Sequence, residues 1–207
     1  MNGDTDSRIS EKIRIESLSD LIFGLALSIG SLVLISSIPT SPSQLTVDVV
    51  QFAFSFIILV SIWTIYTRIV RFLSIETDTA LVLNILLLFT VAIEPFLFYV
   101  IVKGSGFEGY ATSVFGIDIG LMNFILFGMI TVALSQLKRK GGNLHVQEFR
   151  TLSRRRITQL LGGVVFMVSS LPYFWVEVPF GGYLRLDLWI AGFLSFFFFR
   201  LWQKISK

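Results

Sequence analysis

Between Asp78 and Lys103 a single residue, Glu94, carries a charge. No charge stands between Asp20 and Asp48, between Asp48 and Arg68, or between Asp118 and Lys138. Runs of this length constrain the fold more than anything else in the chain. A hydrocarbon core about 30 Å thick is crossed by roughly 20 apolar residues in a helix, and backbone in lipid must satisfy its own hydrogen bonds. Six segments qualify, at about 18–38, 48–70, 80–102, 112–136, 157–176 and 184–202. They predict an all-α membrane protein with six transmembrane helices. Composition agrees: the 207 residues are 54% hydrophobic and only 15% charged, with mean hydropathy +0.77, which leaves more apolar surface than a soluble core can bury. The stretch up to Glu16 is polar, and the run behind it lacks a small-residue cleavage pattern, so an uncleaved first helix is expected.

Basic residues set the direction. Of the 17, all but Lys103 and Arg185 fall on one side of this arrangement, in the first, third, fifth and seventh polar segments. The positive-inside rule then places both termini in the cytoplasm. Turn formers fill the breaks, at PTSPS (39–43), GSGFEG (104–109), GGN (141–143) and PFGG (179–182). Thr46, Asp48, Thr79 and Asp187 stand near helix starts, where capping groups belong. The longest connection, 137–156, holds Lys138, Arg139, Lys140, Arg150, Arg154, Arg155 and Arg156. It reads as a topology determinant that touches lipid headgroups, with no nucleic-acid partner expected. Without a convincing internal repeat, residues 1–207 read as one six-helix unit.

Much chemistry is excluded. There is no cysteine, and the one histidine, His145, lies in the basic connection. A histidine or cysteine metal site within one chain, or a serine–histidine protease at membrane depth, therefore has no residues to use. GIDIG (116–120) carries an aspartate near the outer end of the fourth span, with no second aspartate evident at that depth. Neither enzyme activity nor a cofactor is expected. The filter sequence TVGYG is absent, so cation selectivity would have to come from something other than a ring of backbone carbonyls on a pore loop. Trp175, Trp189 and Trp202 read as interfacial anchors, and Glu94 as an interface carboxylate reaching water or a neighbouring helix.

The first span remains. Leu25, Ile29 and Leu32 recur at helical spacing and form one stripe, beside a stripe of small residues, Gly24, Ser28 and Ser31. Such a pair of stripes suits a helix packed around a symmetry axis, where rings of large apolar side chains can gate by dewetting. It equally suits an ordinary core helix.

Arg14, Leu18, Ser19, Asp20 and Ser28 resemble the R-x-x-x-F-S-D-x-x-x-x-x-x-x-T signature of the transmembrane protein 175 family of cation channels, with leucine for phenylalanine and serine for threonine. WTIYTR (63–68) is similar to that family's W-x-x-H-x-R, with Tyr66 in the histidine's place, and NILLLFTVAIEPF (84–96) to its N-L-L-L-L-F…L-P-F stretch. The resemblance implies a homotetramer of six-helix units without a pore loop, permeable to potassium and other monovalent cations, with the first helix lining the pore. It implies Leu25, Ile29 and Leu32 as the constriction, with potassium held only transiently there, and Ser28 as the residue influencing selectivity. A polar network of Arg14, Ser19, Asp20, Trp63, Tyr66, Arg68 and Asn84 would hold that helix in place. It further implies a multi-pass protein of a prokaryotic plasma membrane. A secondary cation transporter would favour ionisable groups near the midplane and inverted repeats, while a non-conducting membrane scaffold would leave permeation indifferent to Leu25 and Ile29.

Overall fold

Helices dominate the computed structural model, which describes residues 2–35, 39–73, 77–103, 106, 108–139, 146–178 and 182–191. Five α-helices are complete within them: α1 (Asn2–Ile35), α2 (Pro42–Val70), α3 (Asp78–Lys103), α4 (Glu108–Arg139) and α5 (Val146–Ser169). Residues 184–191 are again helical. Among the described residues four stretches are long and apolar enough to cross a membrane, Lys12–Leu32, Pro42–Val70, Asp78–Lys103 and Glu108–Arg139. The sixth expected span falls mostly on residues 192–202, outside the described ones, as do His145 and Trp202.

Local chemistry explains where the helices begin and end. α2 starts six residues before its expected start, because Ser41 caps it by accepting from the Gln44 N–H at 3.2 Å, and Pro42 takes the first helical position, where no N–H is needed. Thr46 and Asp48 therefore lie inside the helix, and the Thr46 hydroxyl donates to the Pro42 carbonyl. Acid at the start and base at the end complement the dipole of α3 (Asp78, Lys103) and of α4 (Glu108; Lys138, Arg139). Much of the expected basic connection is helix: α4 runs to Arg139, and α5 begins at Val146.

α5 stops at Ser169, short of the expected 176. Pro172 has no N–H and pushes Leu171 to extended backbone, and a 3-10 turn, Pro172–Phe174, follows. No strand is evident in the sequence, yet β1 (Glu177–Val178) pairs antiparallel with β2 (Gly182–Tyr183), matching Glu177 with Tyr183 and Val178 with Gly182. This small ladder folds the chain back into the helical residues 184–191.

α4 is the central element, packed by α3, α5 and α2, while α1 lies along α3 and α2. Its close approach to α5 is made by glycines. A Cβ at Gly116 would strike the Ser170 hydroxyl and lie 2.8 Å from the Trp189 ring. One at Gly120 would stand 2.8 Å from Met167 Cγ and 3.3 Å from the Gly163 carbonyl, and one at Gly163 would stand 2.8 Å from the Phe124 ring. Two glycines four apart thus make GIDIG a small-x-x-x-small packing face. Around it Phe115, Ile119, Met122, Leu126 and Met129 are fully enclosed.

Candidate functional site

α1 has two faces. Ser19, Phe23, Ala26 and Gly30, at steps of three or four, are buried against α2 and α3. The opposite row, Leu18, Leu21, Leu25, Ile29 and Leu32, is half-exposed or more; Leu25 is 51% exposed, Ile29 50% and Leu32 56%. Beside that row Ser28 donates to the Gly24 carbonyl at 2.8 Å, and Ser31 to the Ser28 carbonyl at 2.6 Å. Both hydroxyls are satisfied by their own helix. A Cβ at Gly24 would meet nothing within 4 Å, so in the protomer this part of the small stripe faces no other helix. Lipid-directed residues elsewhere, such as Phe89 and Phe96 on α3, are as exposed as the leucines. The α1 row differs in having hydroxyl-bearing residues alongside it and a spacing close to seven residues per two turns, the period of helices that meet around an axis.

Polar contacts tie the middle of α1 to α2. The Tyr66 hydroxyl donates to Ser19 Oγ at 2.7 Å, and Ser19 donates in turn to the Ile15 carbonyl at 2.8 Å. Both side chains are buried, and the Tyr66 ring packs 5.6 Å from that of Phe23. The Trp63 indole N–H donates to Asp20 Oδ1 at 3.0 Å. Four of the seven expected network residues therefore meet, two from α1 and two from α2. Arg14 and Arg68 are exposed and make no hydrogen bond or ion pair to the others, and the buried Asn84 leaves its Oδ1 without a partner. Removing the buried bond should cost more than removing the exposed one. Tyr66→Phe is expected to lower stability by about 1 kcal/mol and Asp20→Ala by less, read from thermal unfolding in detergent. Equal losses would contradict this ordering.

Three charged side chains that sequence reasoning had put at the periphery lie inside. Glu94 is sealed from water and accepts from the Ser55 hydroxyl at 2.6 Å. Asp118 is buried on α4. Arg185 has no exposed surface and donates to five acceptors at the start of α4 and the end of α5. Trp189 is likewise no interfacial anchor: it is 3% exposed, with its ring between Phe115 and Phe166 and its N–H on Ser169 Oγ at 2.8 Å. Trp175 stacks on Tyr183 with centroids 3.8 Å apart. The local signals were Pro95 directly after Glu94, and the glycines flanking Asp118, which mark tight helix contact rather than a helix end.

No curated protein and no solved structure matches the chain. A family model does match residues 14–95, a stretch that holds the Ser19–Tyr66 and Asp20–Trp63 contacts, the exposed row of α1 and Glu94. That model is described as the endosomal/lysosomal potassium channel TMEM175, and it is over this stretch that the chain is similar to that family.

Proposed function

We propose that the chain is a potassium-permeable cation channel of a prokaryotic plasma membrane, assembled as a homotetramer with α1 around a central pore. Residues 1–207 form one six-helix unit with both termini cytoplasmic. The observation that carries this reading is the α1 row: its own protomer leaves Leu25, Ile29 and Leu32 uncovered while packing the opposite face of the same helix. Four copies about an axis would bring these side chains together as rings. Rings of leucine and isoleucine expel water when narrow and admit partly stripped ions when wider. Potassium, which holds its water less tightly than sodium, crosses such a neck at the lower cost. Ser28 is the polar group nearest that path and influences the choice between ions. The Ser19–Tyr66 and Asp20–Trp63 contacts hold the inner end of α1 to α2, so that the rings keep their register, and Arg14, Arg68 and Asn84 complete the network in the assembled channel.

The test is reconstitution in liposomes with potassium and sodium gradients. Passive potassium flux above sodium flux is the expected result, and Leu25→Ala should raise conductance and lower selectivity. Unchanged flux in that variant relocates the constriction, and no flux over a range of voltage favours a scaffold. The buried carboxyls Glu94 and Asp118 favour a second reading, a secondary cation transporter. Flux that moves one ion uphill against the gradient of another would select it.

A further inference from the structure

Two carboxyl groups sit inside the bundle with no ion pair to a cation among the described residues. Glu94 on α3 has no exposed surface, and Asp118 on α4 is 6% exposed. Glu94 stands nine residues before the end of α3 and Asp118 ten residues into α4, so at 1.5 Å per residue both lie about 14 Å below the outer helix ends. The two helices pack together, so the two carboxyls lie at matching depth on neighbouring helices. Glu94 Oε1 accepts from Ser55, but Glu94 Oε2 and Asp118 Oδ2 have no hydrogen-bond partner. In the same turn, Pro95 leaves the Val91 carbonyl without its helical donor.

Among the described residues, the neighbouring elements bring no charge that neutralises the pair. α1 is uncharged beyond Asp20, and α2 is uncharged between Asp48 and Arg68. α4 adds the exposed Glu108 at its start and the exposed Lys138 and Arg139 at its other end, about 30 Å from Asp118, and α5 has no charge from Ile157 onward. Arg185 has every N–H engaged elsewhere, Asp187 is exposed, and Lys103 stands nine residues beyond Glu94, about 14 Å along α3. Two bare carboxylates here would lose their hydration and repel each other, with the Ser55 hydroxyl as the one recorded hydrogen bond to compensate.

We propose that Glu94 and Asp118 form a proton-binding site. One proton from solvent forms an O–H bond at Glu94 Oε2 or Asp118 Oδ2, so the two groups together carry one negative charge instead of two. The donor set does not suit a divalent metal ion. Calcium takes six to eight oxygens and magnesium six, whereas two carboxyls and one serine are present, with no third acidic, histidine or cysteine side chain grouped with them among the described residues. Loss of the proton places two like charges across the α3–α4 contact, so occupancy is tied to how these helices pack. The site stands whether or not the chain conducts ions.

Infrared spectroscopy of the full chain in lipid at neutral pH tests this. A carboxylic-acid carbonyl band that moves to lower frequency in heavy water is expected in the wild type. It should change in Glu94→Gln and in Asp118→Asn, and vanish in the double variant. Absence of such a band in the wild type overturns the proposal and needs no variant to fold. A band that persists unchanged in the folded double variant also overturns it.

Discussion

Arg185→Met is expected to destabilise the protein by about 3 kcal/mol or more, because several buried carbonyls would lose their donors at once. The guanidinium has five N–H groups and uses each. Nε donates to the Ser169 carbonyl at 2.8 Å, and Nη2 to the Ser170 and Leu171 carbonyls at 3.2 and 2.9 Å. Nη1 donates to the Gly109 carbonyl at 2.8 Å and to Thr112 Oγ1 at 2.7 Å. The first three acceptors lie at and just past the end of α5, where no further helical turn supplies donors. A fixed positive charge there also meets the negative end of the α5 dipole. The other two belong to the first turns of α4, so one side chain joins two helix ends across 73 residues of sequence. The Trp175 ring, 5.3 Å from the guanidinium carbon, closes the group. Arg185→Lys keeps the charge but has three donors and no planar fork, so a loss of about 2 kcal/mol is expected. Thermal unfolding of purified protein in detergent measures both. A lysine variant as stable as wild type would show that charge at the helix end is enough.

Gly116→Leu should cost about 3 kcal/mol, through overpacking rather than lost bonds. Its first added carbon alone would meet the Ser170 hydroxyl and lie 2.8 Å from the Trp189 ring. Neither neighbour yields freely: Trp189 is buried and bonded to Ser169, and Ser170 donates to the Phe166 carbonyl at 2.7 Å. α4 and α5 would have to separate, opening the apolar contacts around Phe115 and Phe166. Gly128→Ala serves as the control, since its added carbon would lie 3.5 Å from Leu83, an ordinary contact. Unfolding midpoints should fall for Gly116→Leu and stay near wild type for Gly128→Ala. Equal midpoints would mean that the α4–α5 crossing tolerates a wider spacing than its glycines suggest.

Part of the candidate site was readable in advance. The two faces of α1 follow from the spacing of Leu25, Ile29 and Leu32, and the residues expected to anchor it include the pairs Ser19–Tyr66 and Asp20–Trp63. Arg14, Arg68 and Asn84, expected in the same network, do not join it within the protomer. Glu94 and Arg185 were misplaced for one shared reason. A charge close to the end of an apolar run looks like a group returning to water, and its depth depends on what the next helices lay over it. Ser55 is 39 residues from Glu94, and no local pattern links them.

The length of the uncharged runs determined by itself that the chain is helical and suited to a bilayer, because in lipid only a backbone that bonds to itself is affordable. The basic residues gathered on alternate connections, and Ser41–Pro42 at the head of α2, were equally local. Tertiary structure alone decided which polar groups are buried and with what partners. Those partnerships arise where helices cross, at Gly116 and Gly120 against α5, at Ser55 against α3, and at Arg185 between two helix ends. Crossing geometry depends on side chains far apart in sequence interlocking at contact distance, and a one-dimensional pattern of apolar and polar residues does not contain that distance.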